Sequence, residues 1–166
     1  YAERVKHFVD LASTSSFQQL VKRVILLACQ PGSIGMDRVA GLIRERMTRL
    51  TWDELLKVAE CFLPGDLEYE TSLLLERVKD REKAVEVLRR VDEEVVRDLT
   101  SRPTDVTEQM ATELAGKLGL SKGDMFMLLR VAVTGKTATP PLFETMEVLG
   151  PDVVSGRLRF AMRKLN

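Results

Sequence analysis

The sequence predicts an all-α protein built from two consecutive helical subdomains. Apolar residues recur at spacings of three and four along nearly the whole chain, and no convincing run alternates with a period of two. Short clusters of glycine, proline and small polar residues separate these stretches. A length of 166 residues is enough for one domain or two small ones. We therefore expect about ten helices with short connections and no internal repeat.

Four helices are predicted before residue 65. The STSS turn at residues 13–16 and the QPGSIG segment at residues 30–35 separate the first three. Thr51 and Glu54 form a capping box, which starts the fourth helix near Trp52. The four apolar stripes run from Val5 to Ala12, from Phe17 to Leu27, from Met36 to Met47 and from Leu55 to Phe62.

The middle of the chain is predicted to contain two helices. The apolar segment Leu73–Val78 is expected to be helical. The clearest stripe of the chain follows from Ala84 to Leu99, and Asp80 is expected to cap that helix. Because it is acidic outside and apolar inside, we interpret this helix as structural.

The TSRPTD stretch at residues 100–105 is the best candidate for an internal boundary. It combines Pro103 with small polar residues. We expect residues 1–103 to form one helical subdomain and residues 104–166 to form the second.

Four more helices are predicted after this boundary. Asp105 is expected to cap the first, and Gly119 to end it. Ser121 and Asp124 give a capping-box-like start to the second, and Gly150 ends the third. The apolar stripes run from Val106 to Leu118, from Phe126 to Val133, from Leu142 to Leu149 and from Val154 to Leu165.

The charges are balanced overall but unevenly distributed. Lys plus Arg and Asp plus Glu number 25 each, so the net charge is zero. Residues 66–105 contain 12 acidic and 8 basic residues, a balance of 8 − 12 = −4, whereas residues 121–166 contain 7 basic and 4 acidic residues, a balance of 7 − 4 = +3. Residues 36–50 are also basic. A polyanion could bind the basic faces, or most of these charges could be solvated helix surface; charge alone leaves both interpretations open.

No catalytic or metal-binding constellation is recognisable. His7 is the only histidine, which removes most metal sites and histidine-based triads. The TGKT at residues 134–137 lacks the upstream glycine of a phosphate loop and follows a predicted helix rather than a strand. No apolar run approaches the roughly 18 residues needed to span a membrane. We expect no catalytic residue, no metal and no cofactor in this chain.

The connection after Arg130 is richer than a helix joint requires. Pro140 and Pro141 fix their own φ angles and push Thr139 towards an extended conformation, and Pro141 is expected at the first position of a helix. The resulting stiff edge could pair with unstacked bases, with Leu142 packed beneath one of them. A rigid joint between two helices is the alternative. The basic side chains expected to contact phosphates or bases are Arg130, Lys136 and Arg157.

The stretch LRVAVTGKTATPPLFETMEVLG resembles the C-terminal anticodon-binding region of bacterial-type glutamyl-tRNA synthetases. The family pattern is an arginine, a short apolar piece, threonine-glycine, a spacer, proline with proline or glycine, leucine-phenylalanine and leucine-glycine. AERVKHF at residues 2–8 and LIRERMTRL at residues 42–50 also resemble the family, so the resemblance covers nearly the whole chain. This sequence supplies the pattern through Arg130, Thr134, Gly135, Pro140, Pro141, Leu142, Phe143, Leu149 and Gly150.

The resemblance implies a helix bundle followed by an α-helical cage, of the class I synthetase anticodon-binding type, whose partner is the anticodon stem-loop of tRNA(Glu). It places Arg46 at the family position that contacts the third anticodon base, where an arginine is associated with telling tRNA(Glu) from tRNA(Gln). It places Pro141 where backbone atoms approach the bases. The positions that contact anticodon bases in the family are occupied here by Arg130, Thr139, Pro140 and Leu142.

The family's catalytic half is missing, because the sequence contains neither its HIGH nor its KMSKS motif. The chain begins on Tyr1, and we expect it to be a piece of a longer protein. The resemblance implies that the parent is a cytoplasmic, monomeric glutamate–tRNA ligase that uses ATP and Mg, and that neither DNA nor a membrane is a partner. The alternative is a free-standing helical adaptor that binds a protein through the acidic helix from Asp80 to Thr100.

Overall fold

The structure is a computed structural model. It describes residues 67–166, the segment 60–62 and Leu42, which lies in a helix. Apart from Leu42 and that segment, the four helices predicted before residue 65 lie outside the described residues. The Thr51–Glu54 capping box and the predicted site residue Arg46 lie outside them as well.

The chain divides into two compact units, residues 1–65 and residues 66–166. In the first unit the described segment Glu60–Phe62 forms a single 3-10 turn. Cys61 and Phe62 are both buried there. No helix in the described part of the chain is long and apolar enough to cross a membrane.

The described residues of the second unit form helices joined by short irregular segments and contain no strand. The all-α prediction is therefore confirmed. Six α-helices form this unit: α1 (Thr71–Leu74), α2 (Arg81–Val91), α3 (Thr104–Lys117), α4 (Lys122–Thr134), α5 (Leu142–Leu149) and α6 (Pro151–Leu165).

Helix α2 packs mainly against α6, and α4 packs against α6 as well. The division predicted at residue 103 consequently falls inside the second unit, because helices from both sides of that point share one core. The structure instead divides the chain at Gly65. Pro103 marks the start of α3 rather than a change of unit.

The apolar stripe of α2 supplies one side of this core. Ala84, Leu88 and Val91 are fully buried, as the spacing predicts. A π-helical turn, Asp92–Val96, continues the helix without a break. The stripe reaches Leu99, which is also buried.

Three predicted capping features are confirmed. The Asp80 carboxylate accepts the Lys83 N–H at 3.2 Å at the start of α2. The Ser121 hydroxyl accepts the Asp124 N–H at 3.1 Å at the start of α4. Gly119, with φ = 70°, follows the last turn of α3 in the left-handed conformation that favours glycine.

Two local predictions were wrong. Asp105 is not the cap of α3, because Pro103 precedes the helix and Thr104 begins it. Asp105 lies in the first turn, where its negative charge suits the positive end of the helix dipole. The helix predicted over Leu73–Val78 is limited to Thr71–Leu74 and is followed by a turn, so its apolar residues pack without extending the helix.

Candidate functional site

The connection between α4 and α5, residues 135–141, contains most of the predicted site. Helix α4 ends because Gly135 adopts φ = 72°, a left-handed conformation that costs other residues free energy. The Gly135 N–H donates to the Val131 carbonyl at 2.8 Å. We call residues 135–141 the loop.

Thr134 fixes the first turn of the loop. Its hydroxyl donates to the Arg130 carbonyl at 2.7 Å, one helical turn back. The same oxygen accepts the Lys136 N–H at 3.3 Å. A single buried hydroxyl thus connects the last turn of α4 to the start of the loop.

The Arg130 guanidinium holds the far side of the loop. Its Nη1 atom donates to the Thr139 hydroxyl at 2.7 Å, to the Pro140 carbonyl at 3.2 Å and to the Thr139 carbonyl at 3.4 Å. The Thr139 hydroxyl in turn donates to the Pro140 carbonyl at 3.0 Å. Charge-assisted bonds of this kind are roughly twice as strong as bonds between neutral groups, so Arg130 fixes the Thr139–Pro140 edge in one conformation.

Pro141 leads directly into α5. The helix begins at Leu142, so Pro141 lies one residue before the first helical position, and the prediction that Pro141 would occupy that position was wrong. The Pro141 carbonyl accepts both the N–H of Thr145, at 3.0 Å, and its hydroxyl, at 2.7 Å. Both bonds fix the direction in which α5 leaves the loop.

The loop is less exposed than the sequence predicts. Thr139 is 4% exposed and Leu142 is 3% exposed, and Pro140 is also buried. Thr137 and Ala138 form the exposed tip. The Thr139 hydroxyl is bonded to Arg130 inside the loop. The outer surface of the loop consists of the backbone and side chains of its tip.

The two supporting basic residues have different surroundings. Lys136 is half-buried at the start of the loop. Arg157, on α6, is only 7% exposed and donates from Nη1 to the Val133 carbonyl at 2.7 Å. This burial favours an internal role for Arg157, because its cation satisfies a carbonyl at the end of α4.

A cluster that the sequence did not indicate lies on the other side of Gly135. The rings of Tyr69 and Phe160 meet edge to face, with centroids 6.2 Å apart. The Lys164 ammonium lies over both rings, 5.0 Å from the first centroid and 5.3 Å from the second, and donates to the Tyr69 carbonyl at 2.9 Å. Tyr69, Phe160, Lys164 and Gly135 line one open groove.

Tyr69 is unusual among the described residues because its hydroxyl is buried without a hydrogen-bond partner. Burial raises the pKa of Tyr69 to about 12, and the nearby positive charge of Arg157 opposes this rise. No spacing or motif in the sequence pointed to Tyr69, since it lies in an irregular segment before α1.

The polar groups of this arrangement can make hydrogen bonds and ion pairs. Fixed carbonyls, N–H groups and hydroxyls can pair with base edges, and the nearby cations can neutralise phosphates. Among the described residues no three His, Cys, Asp or Glu side chains group as metal ligands would.

The chain is similar to a known protein family and to known proteins along most of its length. A family model described as an anticodon binding domain matches residues 1–162. A glutamate–tRNA ligase from Dehalococcoides mccartyi (strain BAV1) is 31% identical over 138 residues, which are 81% of this chain and 28% of that ligase. One from Roseiflexus castenholzii is 32% identical over 158 residues, which are 89% of this chain and 31% of that ligase.

The fold is shared with a solved structure. The crystal structure of a glutamate tRNA ligase from Elizabethkingia meningosepticum, in complex with its amino acid, superposes with a TM-score of 0.77 at 16% identity. The match covers 99% of this chain and 32% of that chain. The chain thus spans less than a third of the length of these relatives. Because the family model covers nearly all of its residues, the chain belongs to the anticodon binding domain family.

Proposed function

We propose that this chain is the anticodon-binding portion of a glutamate–tRNA ligase and that it binds the anticodon stem-loop of tRNA(Glu). The observation that carries the proposal is the loop edge held by Arg130, whose Nη1 atom reaches three oxygens of Thr139 and Pro140. An edge that is fixed before binding loses little conformational entropy when a base pairs with it.

The predicted contacts divide into two kinds. Basic residues such as Lys136 supply affinity through phosphates, independently of sequence. The loop, together with Arg46, supplies the choice of base, since a guanidinium can make two parallel hydrogen bonds to one base edge. Leu142 and Pro140, which are buried, support the edge from beneath rather than stacking on an open face.

The parent would perform aminoacylation elsewhere, with ATP and Mg, in the cytoplasm. The relatives bear the name glutamate–tRNA ligase over chains more than three times as long as the matched part. The portion described here would hold the tRNA in place, which favours transfer by orientation. We propose that it acts as a monomer.

The adaptor alternative relied on the acidic helix from Asp80 to Thr100. Several of its carboxylates are paired within the helix: Arg89 with Glu93 at 2.9 Å, Arg90 with Glu94, and Lys83 with Glu86 at 2.9 Å. Exposed pairs of this spacing are typical of a solvated helix face. The described contacts therefore favour the tRNA-binding function over the adaptor.

One experiment separates the two functions. Binding of this chain to the anticodon stem-loop of tRNA(Glu) is compared with binding to the same stem carrying a scrambled loop, over a series of salt concentrations. The tRNA-binding function predicts a preference for the cognate loop and an affinity that falls as salt rises. Equal affinity for both loops at every salt concentration would contradict it.

A further inference from the structure

We propose that Tyr69 is a positioning residue for base selection, because its ring forms the support on which the Gly135 turn of the loop rests. The inference rests on the proposed function. It concerns a residue outside the predicted site, on the segment that precedes α1.

The observation that indicates this support is the close approach of the segment 67–69 to Gly135. A Cβ added at this glycine would lie 3.3 Å from Tyr69 Cδ1 and 3.6 Å from Leu67 Cβ. It would also lie 3.9 Å from the Glu68 carbonyl oxygen. The segment 67–69 therefore lies beside the turn, on the side where any other residue would carry a side chain. A ring held this near the turn limits how far the turn can move towards it.

The ring of Tyr69 is itself held by α6. Phe160 packs against it edge to face, and the Lys164 ammonium lies over it while bonding to the Tyr69 carbonyl. Such aromatic and cation–π contacts favour one ring orientation. The turn at Gly135 consequently lies beside a side chain whose orientation is fixed by α6.

The ring, and not the hydroxyl, makes this contact. The hydroxyl finds no hydrogen-bond partner among the described residues, whereas the ring carbon Cδ1 faces Gly135. A phenylalanine at position 69 would therefore keep the support, and an alanine would remove it. This difference between two substitutions at one position makes the inference testable.

Gly135 is also the residue at which the backbone passes from α4 into the loop. On its α4 side Arg157 bonds to Val133, and on its loop side the chain runs to the Thr139 edge that Arg130 holds. If the turn shifts, the edge shifts relative to Arg130. We therefore expect loss of the Tyr69 ring to impair the choice among bases more than the general attraction to RNA.

The test compares four proteins for binding to the cognate and scrambled stem-loops: the unmodified chain, Tyr69→Phe, Tyr69→Ala and the control Val95→Ala. Val95 is a buried residue of the π-helical turn, whose helix contacts are with α2, α3 and α6. Its truncation destabilises the core without touching the loop. Tyr69→Val, which has no δ carbon, replaces Tyr69→Ala if the alanine variant loses its helical circular dichroism.

We expect Tyr69→Ala to lower the ratio of cognate to scrambled affinity by about tenfold, the effect of losing one positioned contact. Tyr69→Phe and Val95→Ala should keep the ratio of the unmodified chain, and the salt dependence should be unchanged in all four. A Tyr69→Ala ratio equal to that of the unmodified chain would overturn the inference, as would an equal loss in Val95→Ala.

Amide chemical shifts of the free proteins separate this inference from the proposed function. Tyr69→Ala should shift the amides of residues 135–138, and Val95→Ala should leave them in place. If the unmodified chain showed no preference for the cognate loop, the proposed function and base selection by Tyr69 would both fail. Unmoved loop amides in Tyr69→Ala would contradict the support itself, whatever the RNA result.

Discussion

Arg130 and Thr139 meet across the loop, with Nη1 of Arg130 2.7 Å from the Thr139 hydroxyl oxygen. Arg130 is half-buried on the last turns of α4, and Thr139 is buried just before the two prolines. The bond joins two residues that the family resemblance assigns to base contact. It indicates that they act together, with the arginine shaping the edge that the threonine backbone presents.

Thr139→Val tests this bond. The substitution keeps the shape of the side chain but removes the acceptor, so the free energy of unfolding should fall by about 1.5–3 kcal/mol, the range for bonds to charged groups. Urea denaturation measures the loss. Thr139→Ser keeps the hydroxyl and should lose much less. A loss in Thr139→Ser with none in Thr139→Val would show that the methyl group, not the bond, stabilises the loop.

Gly135→Ala should destabilise the chain through the backbone. Its φ of 72° costs a residue with a side chain about 1–2 kcal/mol, and the new Cβ would also press on Tyr69. Gly116→Ala is the matched control, because Gly116 lies within α3 and an added Cβ there meets nothing within 4 Å. It should raise the unfolding free energy by about 0.5–1 kcal/mol. Thermal or urea unfolding of both variants measures these opposite changes, and a stabilised Gly135→Ala would contradict the account.

We expect Lys136→Gln to weaken RNA binding and Arg157→Gln to lower folding stability. Loss of a phosphate contact at Lys136 should reduce the slope of log affinity against log salt by about 1. Arg157→Gln should instead lower the unfolding free energy by about 1–3 kcal/mol, because the Val133 carbonyl loses a buried donor. Its salt slope, measured where the variant is folded, should equal that of the unmodified chain. A reduced slope in Arg157→Gln would place that side chain on the RNA after all.

The raised pKa of Tyr69 predicts that the free energy of unfolding depends on pH. Its pKa is raised from 10.0 to about 12 in the folded chain, so the folded state holds the phenolic proton more tightly than the unfolded state does. The resulting stability is fully present below about pH 10 and is lost as the pH rises towards about 12. Tyr69→Phe has no phenolic proton to lose. Its unfolding free energy should therefore rise relative to that of the unmodified chain as the pH increases from about 10 to about 12. A difference that stays constant with pH would contradict the raised pKa.

The parts of the fold that follow from local chemistry could be predicted from the sequence. Asp80 and Ser121 cap helices through bonds to residues three positions ahead, and Gly119 ends one because it tolerates positive φ. Such interactions depend on short spacings that a sequence displays directly. The start of α3 was misplaced because Asp105 and Thr104 are both plausible at a helix start, and the choice between them depends on Pro103.

The surroundings of the site could not be predicted in the same way. Thr139 is a polar residue beside two prolines, a pattern typical of an exposed turn, yet it is buried because Arg130 reaches it from nine positions earlier. Tyr69 contacts Gly135 and Lys164 only because the chain folds back on itself. Contacts between residues so far apart leave no periodicity, so the residue that supports the loop was missed.

The most direct test of the central claim is to map amide chemical shifts of the chain as the tRNA(Glu) anticodon stem-loop is added. The largest changes should fall on the last turn of α4 and on residues 135–139, with the amides of α2 unaffected. Changes centred on α2, with the loop amides unmoved at saturating RNA, would contradict the claim.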